Sequence, residues 1–497
     1  MSENIQHPEH ARHTEHAPHA GHIDRAAPAS FRGPSAGHPA GPAAGPGLTR
    51  RRLLTGTAAL ATGAAGAGTL AACGGASASG DGVELDYWLW DALQLPAYSA
   101  AIDLFMEKNP DITVRITQMG WDDYWTKLTA SFVAEAGPDA FTDHLARYPE
   151  FLRLGVIAPL DGLGPIDELG PDRFQEGLQE LWSAPDGTKY GVPKDYDTIA
   201  ILYDQKMLEE EGLAPEDLEG LDWNPEDGGT FEQMLARLTV DTNGVRGDED
   251  GFDPTSVARY GLAADPAVDY TGQSSWSPFA LSTGWTFTDK DTWGTRFQYD
   301  DERFAAAIDW YFGLVDKGYF PPFGTFGDSS PAQAQLQGGT SVLAIVGSWM
   351  ITTFNNLEGV ELGIAPLPSG PVGHPVSMFN GLGDSISAQS ENKEEAARLI
   401  AFLASDEAQE LIGQRAPFFP STDAGTQAAI ARYEELGLDV TPYTDRVANG
   451  ETGLYPLVEN SASIQQIMQT AFDQAWMRQI SGADFASFND RVNALFD

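Results

Sequence analysis

The chain has 497 residues, 42% of them hydrophobic with 12 Trp, and it sets 72 acidic against 29 basic residues for a formal net charge of −43. That length allows two to four domains or one large two-lobed body, and so negative a field repels nucleic acid and anionic headgroups, which excludes a DNA- or RNA-binding role. The single Cys, Cys73, leaves no internal disulfide to build.

Residues 1–47 are rich in Pro, Gly, Ala and His with almost no apolar periodicity, the composition of a disordered extension. His7, His10, His13, His16, His19 and His22 recur every third residue; a metal-binding tract, a His-rich tail and an upstream start codon all fit that pattern. Residues 48–72 read as a targeting segment: Arg50-Arg51-Arg52-Leu53-Leu54 looks like a twin-arginine export signal, and 53–70 is a weakly hydrophobic run. Leu70-Ala71-Ala72-Cys73 resembles a lipobox, so Cys73 is expected to carry lipid, with 73–82 as a flexible tether. The expected place of work is outside the cytoplasm, anchored to the membrane by acyl chains. Residues 1–72 hold four acids and six Arg, so 73–497 carries a net of −45.

From residue 83 the chain alternates strand and helix patterns. Residues 83–90 form a first strand, 96–107 a helix stopped by Asn109-Pro110-Asp111, and 112–116 a second strand. Trp121-Asp122-Asp123 opens another helix with Asp122 or Asp123 as its N-cap, and Gly137-Pro138-Asp139 leads into the next extended piece. This order predicts an α/β lobe on a mostly parallel sheet, with ligand at the carboxyl ends of the strands, where Trp90, Trp121, Asp143 and His144 fall.

Residues 186–208 organise the rest. A turn at Asp186-Gly187 precedes a short extended piece ending at Pro193; 199–203 is an apolar run that reads as a buried strand, and a helix starts near Gln205. Between the apolar pieces lie Lys194, Asp195, Tyr196, Asp197 and Thr198, whose carboxylates must pair, accept hydrogen bonds or face a cleft. A Lys194–Asp195 ion pair and a cleft lining both fit.

Further on, 231–238 and 304–315 are helical, 341–346 and 360–366 are strands, and 379–383 is a Gly-rich passage. Helical patterns follow at 393–402, around Leu411-Ile412, at 464–476 and at 485–496. The acidic loop 241–254 offers Asp241, Asn243, Asp248 and Asp250 to a calcium ion, yet Val245 stands where an EF-hand needs an oxygen and no Glu closes the pattern, so a solvated loop is the alternative. No HExxH, GxSxG, P-loop or GxGxxG pattern follows residue 73, and no cofactor is implied.

WDDYWTKL at 121–128, GPDAF at 137–141, the 186–208 passage, GSWM at 347–350 and the 392–410 helices occur in an order that resembles extracellular solute-binding protein family 1, the maltose-binding-like receptors of bacterial ABC importers. The resemblance implies an α/β, two-lobed, type II periplasmic-binding-protein-like fold that closes on ligand about a hinge. It places lobe one at 83–193 and 384–435, lobe two at 197–378 and 440–497, and the crossings near 194–197 and 379–383.

A sugar site combines stacking rings with planar polar groups. The candidate platforms are Trp90, Trp121, Trp276, Trp285 and Trp349, with Trp349 foremost because Gly-Ser-Trp matches a cleft-facing family position; each Trp has a core or lobe-surface role as its alternative. The candidate hydroxyl partners are Asp143, His144, Asp195, Asp197, Gln273 and Asn380. Tyr203-Asp204-Gln205 replaces the family's usual Tyr-Asn-Lys, and His144 stands where an amide is common. The implied protein is a monomeric receptor, not an enzyme, that delivers an oligosaccharide to a permease. A polyamine or peptide receptor of the same fold and a two-carboxylate glycoside hydrolase are the alternatives.

Overall fold

The computed structural model describes residues 82–496 apart from 265–267 and 327–330. The export signal, Cys73 and the tether lie outside the described residues.

Alternating apolar residues in Val83–Leu89 send Leu85, Tyr87 and Leu89 into the core, and this strand runs parallel to Ile112–Gln118 on one side and Ala140–His144 on the other. Two antiparallel strands, Leu382–Ile386 and then Val192–Pro193, complete the first sheet. The mostly parallel sheet anticipated from the alternation therefore holds only for its first three strands. Leu382–Ile386 arrives from the far lobe, not through a crossover helix, so nothing compels it to run parallel.

Helix Leu95–Lys108 buries Ala97, Tyr98, Ala101, Ile102 and Phe105, one stripe at helical spacing, with Pro96 tolerated in its first turn. Asn109 ends it, its backbone N–H and its Nδ2 both donating to the Phe105 carbonyl. Helix Trp121–Val133 is capped by Gly120; Asp122 and Asp123 stand inside the first turn, where they favour the helix dipole without capping, which corrects the expected cap.

The second sheet has the order Leu362–Ala365, Ile199–Asp204, Ser341–Gly347, Val257–Leu262, Val240–Asp241. Every residue of Ile199–Asp204 and of Ser341–Gly347 is buried, which is why these strands read as unbroken apolar runs and not as alternation. At the end of the first, Asp204 accepts from the Lys206 N–H and starts helix Gln205–Glu210.

Two backbone crossings lie side by side where the lobes join. The Asp197 N–H donates to the Asn380 carbonyl at 2.8 Å and the Asn380 N–H returns to Asp197 at 3.1 Å, so the two crossings are zipped together. Short ladders flank them: Asp195–Tyr196 pairs with Phe419–Pro420, and Ser377–Phe379 with Thr452–Leu454. Two α/β lobes joined by extended strands have the build of a hinge.

Candidate solute-binding cleft

The first sheet's parallel strands end at one place. Trp90 follows Val83–Leu89, His144 closes Ala140–His144, and Trp121 opens the helix after Ile112–Gln118. Their rings meet: Trp90 and Trp121 are 5.1 Å apart edge to face, Trp121 and His144 5.6 Å, Trp90 and His144 6.3 Å. Buried Tyr124 and Trp125 back the group, while Trp121 is 46% exposed and forms its rim. Facing it is Tyr455, whose ring stands perpendicular to His144 at 5.8 Å and whose N–H donates to the Phe379 carbonyl on the hinge ladder. Nothing in the local sequence marks Tyr455; its place is set by the pairing of 377–379 with 452–454, over a separation that no periodicity spans.

His144 is a neutral donor. Its Nδ1 accepts the Ala146 N–H at 3.0 Å, which leaves the ring proton on Nε2, and burial together with the Arg147 charge pulls its pKa down to about 4. Asp143 points the other way, fully buried, accepting the His144 N–H at 2.8 Å and the Ser385 hydroxyl at 3.5 Å. Burial lifts its pKa to about 8, so it is a neutral acid at pH 7 that shores up His144 from behind.

Below this wall sits a polar seam. Lys194, 2% exposed, donates to Thr142 Oγ1 at 2.8 Å and Tyr87 Oη at 3.3 Å, stands 3.9 Å from Asp384, and lies 3.8 Å over the Tyr98 ring. The ion pair drawn between Lys194 and Asp195 is replaced by one with Asp384, because successive side chains of an extended strand point to opposite faces. Asp195 accepts the Leu382 N–H at 2.7 Å, Asp197 accepts the Ser348 hydroxyl at 2.8 Å, and Asn380 Oδ1 accepts the Gly381 N–H.

Ser348 opens the turn that carries Trp349, whose ring folds back over Gly347 so closely that a Cβ there would lie 1.8 Å from it. Half-buried Trp349 borders a cavity of about 180 Å³ with Ser274, Gln333, Ile345 and Met350. Gln273, next to Ser274 in the chain, is half-buried, and its Nε2 makes no hydrogen bond among the described residues. Trp276 and Trp285 are not platforms in this conformation. At 0% and 1% exposed they fill the second lobe's core, Trp276 stacked on Phe472 at 5.0 Å and Trp285 donating to the Gln298 carbonyl. The Trp-, Ser- and Thr-rich composition of 270–293 hid that role.

The calcium reading also yields. Asp241 spends its carboxylate on the N–H groups of Asn243, Val245 and Asp253, doing for the loop what a cation would, while Asn243, Asp248 and Asp250 are exposed. Among the described residues no three His, Cys, Asp or Glu side chains are grouped to hold a metal.

A two-lobed α/β body with a zipped hinge and an aromatic wall at the strand ends defines the class of hinged binding proteins. The chain belongs to the bacterial extracellular solute-binding proteins, whose family model matches residues 100–437. It is 26% identical over 181 residues to the arabinooligosaccharide-binding protein of Bacillus subtilis (strain 168), a match covering 35% of this chain and 41% of that one, less than half its length. With the maltodextrin-binding protein MdxE of the same organism it shares 24% over 394 residues, 76% of this chain and 85% of that protein. An ABC substrate-binding protein of Listeria monocytogenes, solved with cycloalternan, superposes with a TM-score of 0.69 at 17% identity over 84% of this chain and 99% of that one, a likeness of fold. The family is extracytoplasmic and made of binders, not enzymes. Among the described residues no helix is long and apolar enough to cross a membrane.

Proposed function

We propose that this chain is the solute receptor of an ABC importer, capturing a sugar of oligosaccharide size between its lobes and handing it to a permease without bond chemistry. The observation that carries this reading is the wall of Trp90, Trp121 and His144 facing Tyr455: the exposed ring of Trp121 for the C–H side of a sugar, backed by half-buried Trp90, with a neutral imidazole donor beside them. The sugar-binding names of the relatives support it. In this reading the lobes are 83–193 with 384–435 and 197–378 with 440–497, and Asp197, Gln273, Trp349 and Asn380 line the cleft floor and far side. Asp143 and Asp195 brace the site, and Cys73 carries the lipid anchor of a monomeric receptor.

A titration of Trp fluorescence with mono-, di- and trisaccharides beside polyamines and peptides tests it. A saturable response to one sugar class is expected, and Trp121→Ala should weaken that binding by about 1–3 kcal/mol with little change in thermal midpoint. Unaltered affinity would remove Trp121 from the site. The second reading, a cationic solute such as a polyamine, draws on the seam, where Asp91, Asp195, Asp197 and Asp384 surround the single ammonium of Lys194. A response to polyamines with silence across the sugars would establish it instead.

A further inference from the structure

Asp195 and Asp197 lie two apart on the extended first crossing, so their side chains leave the same face of the strand. They are tied to opposite lobes. Asp195 Oδ1 accepts the Leu382 N–H and its Oδ2 faces Gln94 Nε2 at 3.5 Å, at the start of the first lobe's helix Leu95–Lys108. Asp197 Oδ1 accepts the Ser348 hydroxyl in the second lobe. They are 1% and 6% exposed.

The charged groups around them are Asp91 at the end of the first strand, Lys194 on the crossing itself and Asp384 on Leu382–Ile386; the hydroxyls of Tyr98, Tyr196, Tyr433 and Tyr443 are the other titratable neighbours. Among the described residues Lys194 is the one cation beside the pair, and its ammonium is turned to Thr142, Tyr87 and Asp384. Four carboxylates thus share one ammonium in a seam largely closed to water, where bare ionised carboxylates are costly. Burial raises the affinity of both aspartates for a proton, and for Asp197 the Asp195 charge adds to it.

We propose that Asp195 and Asp197 are a proton-carrying pair at the hinge that couples the angle between the lobes to pH, the lobes staying together while the pair holds its proton and parting as it is lost. Parting the lobes draws the Gln94 side away from the Ser348 side and lets water onto carboxylates that then ionise in their ordinary range. The closed form therefore binds the proton more tightly, and by linkage acid favours closure. The device depends on the hinge alone and not on which solute is captured.

The test needs no solute. In full-length protein with Cys73→Ser, spin labels at Glu107→Cys and Glu358→Cys, both exposed and one on each lobe, report the inter-lobe distance by pulsed electron resonance. The distance should lengthen between about pH 5 and about pH 9 in this background and stay short throughout when Asp195→Asn and Asp197→Asn are added, since the amides keep the shape of the neutral acids. A distance indifferent to pH, or a lengthening that survives both amides, overturns the proposal. Should the double variant not fold, Asp195→Asn alone should lose part of the fall in thermal midpoint that unlabelled protein shows over the same range; a fall of undiminished size counts against the pair.

Discussion

Lys194 shows how a buried charge is kept. Its ammonium has two hydroxyl partners, one carboxylate and the face of Tyr98, while its methylene stem lies in the core. Lys194→Met would fill much the same volume and leave Asp384 without a counter-charge. The expected loss is about 3–5 kcal/mol of unfolding free energy, read from urea denaturation near neutral pH. Asp143 and His144, adjacent in the chain, have opposite pH signatures. Asp143 holds its proton up to about pH 8 when folded and releases it near the ordinary carboxylate value when unfolded, so its contribution is complete in acid and is lost as pH rises towards 8. His144, held neutral down to about pH 4, contributes fully above its unfolded value and loses that contribution as pH falls towards 4. Replacing Asp143 with Asn should therefore raise the thermal midpoint increasingly between about pH 4 and pH 8 relative to the parent. A gap constant with pH would mean that Asp143 is ionised in the fold.

Among the elements, the turn after Ser341–Gly347 is the most constrained. Gly347 has an ordinary backbone conformation, φ −79, so it is the ring of Trp349 lying against its α-carbon that requires glycine there. Gly347→Ala should push the ring off its seat at a cost of about 1–3 kcal/mol, seen as a lowered thermal midpoint and an altered near-ultraviolet circular dichroism band. If the midpoint and the band stay put, the ring is not packed there. The same element shows what local sequence reveals and what it leaves hidden. The apolar run 341–346 was legible as a strand because all of it is buried, and 199–203 was legible for the same reason. The cap of helix Trp121–Val133 was misassigned because two acids in a first turn look alike whether they cap or only face the dipole.

At the level of the whole molecule, the two-lobed plan was readable from the order of motifs, and of the ring cluster proposed as the site only the part on the first sheet was. Trp90, Trp121 and His144 each end or begin an element with a clear pattern, so their convergence follows from the sheet rule. Tyr455 faces them through a ladder between residues 377–379 and 452–454, and Trp276 and Trp285 are core because Phe304 and Phe472 come from distant helices to pack against them. Composition near a Trp does not announce its neighbours from elsewhere in the chain.

The first sheet carries one more consequence, in the order of synthesis. Ala140–His144 lies between Val83–Leu89 and Leu382–Ile386, so the strand that ends in His144 lacks one neighbour until more than two hundred further residues have been added. The facing tyrosine comes later still, in the last tenth of the polypeptide. A nascent chain on the ribosome therefore cannot finish its N-terminal lobe first and its C-terminal lobe second. Contacts this distant slow folding, and they make capture of solute the last property the chain acquires.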